Sequence, residues 1–157
     1  MFSRILVPVD GSEQSDKSML IALDLAIRYK SYLELIHVTQ ISEEMINKSV
    51  EVDDMYPPST SIMKDKIIND YYLHIIEQLR DMLQKQYEKA KKIAPNLEIS
   101  THLLGGNPGE AIVTRSKANK FDLIVMGSSG VGLRRQILGS TSSRVVNDSK
   151  IPVLVVK

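Results

Sequence analysis

A chain of 157 residues, 43% of them hydrophobic, is long enough to bury one ordinary two- or three-layer core, and residues 1–157 read as a single domain. Its 20 basic and 19 acidic residues leave a formal charge of +1, which carries no electrostatic footprint for nucleic acid. Cysteine is absent, removing disulfides, thiolate catalysis and thiolate metal sites, and no run approaches the roughly 20 apolar residues of a membrane span; a small-molecule partner, no membrane and a cytoplasmic location are expected.

Ile5 to Val9 is a short apolar run ending at Asp10-Gly11-Ser12, a turn that leads into a helix N-cap. From Ser15 to Tyr29, Met19, Ala22, Leu23, Ala26 and Ile27 recur at helical spacing, which predicts an amphipathic helix laid on a sheet. Leu33 to Val38 is a second strand, and a helix of that length between two strands makes a right-handed crossover with parallel pairing. Thr39 to about Ser61 breaks the rhythm: it is polar, holds Glu43, Glu44, Glu51, Asp53 and Asp54, and carries Pro57-Pro58. The expectation there is a loop with room for a short helical piece, either a candidate lid or a solvated insertion.

Beyond it, Ile68, Tyr72, Ile75, Leu79, Met82, Gln86, Ala90 and Ile93 mark a long helix stopped by Lys91-Lys92 and Pro95. Leu97 to Leu104 alternates as a third strand. Asn107 as N-cap, Pro108 at the first helical position and Glu110 at the third then predict a helix running to Asn119. Phe121 to Met126 is the fourth strand, Ser140 to Ser149 a last helix and Ile151 to Val156 a fifth strand. Strict alternation implies a parallel sheet covered on both faces, with ligands at the carboxyl ends of the strands where the strand order reverses. Pro8-Val9-Asp10, Val38 and Met126-Gly127 end three strands at that place.

The segment Gly127-Ser-Ser-Gly130, followed after eight residues by Gly139-Ser140-Thr141, leaves a buried strand and enters a helix. A bound phosphate needs converging backbone N–H groups at close range, and glycine lets the main chain approach without a side chain in the way. Ser128, Ser129, Ser140, Thr141 and Ser142 add neutral donors, Arg134 and Arg135 could add charge, and the N-terminus of the following helix points its free N–H groups the same way. The alternative is a glycine-rich surface loop whose serines only cap a helix. Spacing excludes other cradles: there is no Gly-Lys-Ser or Gly-Lys-Thr, Gly130-Val-Gly132-Leu-Arg-Arg135 lacks the third glycine of a dinucleotide fingerprint, and Val131 stands where a nucleophile elbow needs glycine.

These stretches resemble the universal stress proteins along nearly the whole chain, closest to their ATP-binding branch. The matching residues are Ile5 to Ser12, Leu35-Ile-His-Val38, Gly106 to Glu110, Asp122 to Gly127, Gly139-Ser140 and Ile151 to Val156. The resemblance implies a three-layer α/β fold, a doubly wound sheet of five parallel strands in the order 3-2-1-4-5, of the adenine nucleotide alpha hydrolase-like kind. It also implies an adenine nucleotide site. Asp10 would contact the adenine side, Pro8, Val9 and Val38 would wall the base, and Met126 and Gly127 would lie beside the ribose. Ser129, Gly130, Gly139, Ser140, Thr141 and Ser142 would hold the phosphates of ATP, with Mg2+ or Mn2+ bound mainly through phosphate oxygens.

The same resemblance implies a homodimer through the C-terminal strand, Val153, Leu154, Val155 and Val156, and an unprotected apolar edge argues independently for such pairing. One departure bears on the ligand. Eight residues separate Gly130 from Gly139 where the family pattern has nine, so AMP or ADP stands beside ATP as the occupant.

Turnover has little to support it. Asp10 is the one carboxylate at the expected site, His37, His74 and His102 read as packed or surface histidines, Ser61-Ile-Met-Lys64 matches S-x-x-K by chance, and the His-x-Gly-His signature of adenylyl transfer is missing. The expected function is an adenine-nucleotide-binding stress-response or signalling module with a possible protein partner. A slow metal-dependent ATPase or phosphotransferase and a non-nucleotide dimeric interaction protein are the alternatives.

Overall fold

The structure, a computed structural model, describes residues 1–48, 60–128 and 138–157. The expected features at Glu51, Asp53, Asp54, Pro57-Pro58, Ser129, Gly130, Arg134 and Arg135 lie outside the described residues. In chain order the elements are β1 (Arg4–Pro8), α1 (Glu13–Tyr29), β2 (Tyr32–Thr39), α2 (Glu43–Lys48), α3 (Thr60–Ile93), β3 (Ile99–Gly105), α4 (Pro108–Ala118), β4 (Leu123–Gly127), α5 (Ser140–Asp148) and β5 (Val153–Val156).

All the strand pairs are parallel and the order is β3-β2-β1-β4-β5, as expected. Register sets Ile5 between Leu33 and Leu123, and Met126 beside Val155. Because side chains alternate along a strand, each strand feeds two cores. Ile5, Val7, Leu33, Leu35, Leu123 and Val125 pack against Met19, Ala22 and Leu23 of α1 and Leu83 and Ala90 of α3. On the other face Leu6, Ile36, Ile124 and Met126 meet Ile112 and Val113 of α4 and Val145 of α5.

Helix ends follow their local chemistry. Ser12 Oγ accepts the Ser15 N–H at 3.2 Å to start α1, and Lys30 closes it in the left-handed conformation at φ 55°. Asn107 Oδ1 accepts the Glu110 N–H at 3.2 Å, with Pro108 opening α4. The 34 residues of α3 span about 51 Å, and its end is tied down where Lys91 Nζ donates to the carbonyls of Pro95 and Leu97.

Two expectations are corrected. The segment Thr39 to Ser61 holds the short helical piece allowed for it, α2 at Glu43–Lys48, but its ends are not loop: β2 runs to Thr39 and α3 starts at Thr60. Ile41 and Ile46 are buried against Ile76, with Tyr72, Ile75 and Leu103 around them, so a composition polar on average conceals a small core of its own. The end of β3 comes so close that a Cβ on Gly105 would stand 2.5 Å from the Ile41 carbonyl oxygen, while the Gly105 N–H donates to Glu43 Oε1 at 2.9 Å. Second, β3, β4 and β5 each begin two residues later than expected, because Leu97, Phe121 and Ile151 pack on the cores before pairing starts.

Candidate functional site

The carboxyl ends of β1, β2 and β4 open into a cavity of about 270 Å³, which residues of α4 and the first turn of α5 also line. Pro8, Val9 and Asp10 come from the end of β1, Val38 from β2, Met126 and Gly127 from β4, and Gly139 to Ser142 from the start of α5. Sequence reasoning thus named residues that the sheet order does bring together; Ser129 and Gly130 lie outside the described residues.

The floor is held by main-chain bonds. The Val9 N–H donates to the Ile36 carbonyl at 2.8 Å, and His37 Nδ1 lies 2.7 Å from the Val9 carbonyl. A carbonyl can only accept, so Nδ1 carries the hydrogen. The Val9 side chain is buried in the α1/α3 core, which leaves its main chain to line the cavity. Two residues beyond Ile36, Val38 turns its N–H and carbonyl toward the same side, where β1 has ended at Pro8. Asp10 is exposed, and one of its oxygens, Oδ1, accepts the Ser12 N–H at 2.9 Å in a turn that uses Gly11 at φ +77°.

The glycine segment starts and finishes at one point. Ser128 donates its N–H to the Val156 carbonyl, and its own carbonyl accepts the Gly139 N–H at 2.8 Å and the Ser142 hydroxyl at 2.6 Å. Ser142 is buried, and its hydroxyl also lies 3.0 Å from the Gly139 carbonyl. That hydroxyl ties the start of α5 to the residue after β4. Ser140, Thr141 and Ser142 precede the first intrahelical bond of α5, from the Ser143 N–H to the Gly139 carbonyl, and their N–H groups are the free ones expected at a helix start. Gly139 supplies no side-chain cap and the first turn holds no acid, whereas α1 and α4 are capped by Ser12 and Asn107. Of these three helix starts beside the cavity, that of α5 is the one with no side-chain cap, and its positive end is open to an anion.

The cavity also takes in Ser12, Ser15, Ile36, His37, Pro108 and Ile112, which were not assigned to it from sequence. The first-turn positions of α1 and α4 could have been anticipated from the capping signals at Ser12 and Asn107-Pro108. Among the described residues no group of three or more His, Asp or Glu could hold a metal ion.

Behind the cavity lies a charged cluster that no sequence signal announced. Glu34, only 1% exposed in mid-β2, receives Arg115 Nε at 2.7 Å on one oxygen and Arg115 Nη2 at 3.1 Å on the other. The Tyr32 hydroxyl at 3.0 Å, His102 Nδ1 at 3.4 Å and Ser100 Oγ at 3.5 Å also surround it. Burial alone would raise the Glu34 carboxyl; the hydrogen bonds and charge of Arg115, with His102 and Tyr32, outweigh it and hold the group below its ordinary value.

A doubly wound parallel sheet with its cavity where the strand order reverses defines an α/β protein of the crevice-bearing class. The model of the universal stress protein family matches residues 1–157, and the chain belongs to that family. It is 32% identical over 158 residues to the universal stress protein YxiE of Bacillus subtilis, covering all of both chains. Among solved structures it is similar to hypothetical protein MJ0577 of Methanocaldococcus jannaschii, with TM-score 0.68, 28% identity and coverage of 100% and 96% of the two chains. Two others share the fold: the universal stress protein of Archaeoglobus fulgidus in complex with dAMP (TM-score 0.65, 19% identity, coverage 99% and 98%) and a universal stress protein in complex with cAMP (TM-score 0.66, 21% identity, coverage 99% and 97%). The fold is the adenine nucleotide alpha hydrolase-like one of these neighbours.

Proposed function

We propose that this crevice binds an adenine nucleotide, ATP first and ADP or AMP as alternatives, in a single-domain stress-response or signalling module with little turnover. The observation that carries the reading is the uncapped N-terminus of α5, which faces the cavity walled by the ends of β1 and β2. In this reading Pro8 and Val38 wall the base, the main chain of Val38 meets its polar edge, and Asp10 lies on the adenine side. Met126 and Gly127 adjoin the ribose; Ser140 and Thr141, with Ser129 and Gly130, hold the phosphates, and Mg2+ or Mn2+ rides on phosphate oxygens. Gly139 and Ser142 serve the same end by tying the start of α5 to Ser128. The complexes of two fold neighbours with dAMP and cAMP support the choice of an adenine nucleotide.

The lining supports the reading of little turnover: among the described residues Asp10 is the only carboxylate there, and the reading sets it by the base. A dimer through β5, a cytoplasmic location and a protein partner that senses nucleotide occupancy complete the proposal.

Mass spectrometry of small molecules released on denaturing freshly purified protein should yield ATP, ADP or AMP. Calorimetry on Ser140→Asp should then show ATP affinity reduced by roughly tenfold or more with adenosine affinity nearly unchanged, since the new carboxylate opposes only the phosphates. A protein that emerges empty and also fails to bind added ATP with magnesium would sink the nucleotide reading in favour of an interaction protein.

A further inference from the structure

The crevice wall opposite β2 is made by α4, and the two elements meet along matching stripes. Val38, Ile36 and Glu34 are alternate residues of β2 and share one face. Pro108, Ile112 and Arg115 are spaced by four and three residues, which places them on one stripe of α4. Val38, Ile36, Pro108 and Ile112 line the cavity, and Ile36 and Ile112 belong to one buried cluster. The stripes end, away from the cavity, in the pairing of Glu34 with Arg115.

Apolar contact is non-directional and tolerates sliding; a two-pronged guanidinium–carboxylate pair does not. Here the carboxylate is itself immobilised, since β2 is paired on both sides and Glu34 Oε2 is also reached by the Tyr32 hydroxyl, by Ser100 Oγ at 3.5 Å and by His102 Nδ1. Arg115 thus docks on a fixed point. From it to Pro108 is seven residues, a lever of about 10 Å along α4.

We propose that Glu34 and Arg115 are positioning residues for the crevice: their pair sets the register of α4 on β2, and so the separation at which Pro108 and Ile112 face Val38 and Ile36. The inference rests on the reading of the crevice as a nucleotide site, with the pair setting the width available to the base. Neither residue touches the ligand in this scheme.

Replacing a buried ion pair by apolar side chains of similar volume is commonly neutral or stabilising, which separates positioning from stability. The double variant Glu34→Leu/Arg115→Met should therefore melt no lower than the native chain, yet bind ATP or AMP about tenfold more weakly. In the ligand-free protein, methyl NMR should show changed contacts between Ile112 and Ile36, while Ala22 and Ala26 on the opposite face keep theirs. Arg115→Lys, which keeps the charge but loses the fork, should give a smaller loss of affinity.

A double variant with native stability, native affinity and native Ile112–Ile36 contacts overturns the proposal. Should it melt lower, Arg115→Lys decides: weaker binding at native melting temperature supports positioning, and native binding overturns it. If the native chain binds no nucleotide, the functional reading falls, and the methyl contacts alone decide whether the pair sets the register of α4.

Discussion

Glu34 is a carboxylate buried in the middle of β2. A carboxylate taken out of water is costly unless it is paired and hydrogen-bonded, and here both oxygens are engaged. Glu34→Ala leaves Arg115 without its partner, so urea unfolding should show a loss of about 3–5 kcal/mol. The pair also predicts an acid limb. Because the folded carboxyl is held below its ordinary value of 4.5, the unfolded chain binds the proton first as pH falls. The stabilisation is complete above the unfolded value and is lost as pH falls through the folded one. Unfolding free energies measured between pH 7 and pH 3 should therefore drop more steeply for the native chain than for Glu34→Gln. A reader of the sequence meets Glu34 as a lone polar residue in an apolar strand and Arg115 as one cation on a helix. They stand 81 residues apart, and no periodicity connects them.

At the scale of the element, capping and close approach govern what can change. Asp at the first position of α5 suits the helix dipole, so Ser140→Asp should raise the melting temperature by an amount worth about 0.3–1 kcal/mol while it weakens phosphate binding. Opposite signs in one variant distinguish a ligand effect from damage to the fold. Gly105→Ala tests the close packing of β3 on α2. Its Cβ would stand 2.5 Å from the Ile41 carbonyl oxygen and 2.6 Å from the Glu43 nitrogen, both main-chain atoms, so the segment must move. A loss of about 1–3 kcal/mol is expected, with faster amide exchange through Glu43–Lys48. Helix starts at Ser12 and Asn107 were legible because a cap is local chemistry. The placement of α2 was not, because Ile41, Ile46 and Ile76 form a core only once α3 folds back over β3.

For the whole molecule, the sheet leaves β5 at one edge, paired only to β4, with Leu154 38% exposed and Val146 of the neighbouring α5 43% exposed. A short apolar edge of this kind suits pairing with a second copy, the dimer proposed above. Leu154→Lys puts a charge on an exposed edge position where folding stability should change by no more than about 0.5 kcal/mol. Light scattering should then report a shift from dimer to monomer at equal protein concentration; an unchanged mass would move the contact elsewhere.

The residues in order were enough to determine the succession of strands and helices apart from α2, the parallel sheet and the end of it at which a crevice opens. Amphipathic periods, caps and the hand of a crossover act over short stretches of chain, and Pro8, Asp10, Val38 and Gly127 are drawn together as soon as the strands are ordered. Only the tertiary structure decided that Ser142 spends its hydroxyl on the Ser128 carbonyl, that α2 is anchored by isoleucines, and that Glu34 meets Arg115 behind the crevice. Each depends on groups distant in sequence meeting at hydrogen-bond or van der Waals range, a condition that exists only after the sheet has set their separation.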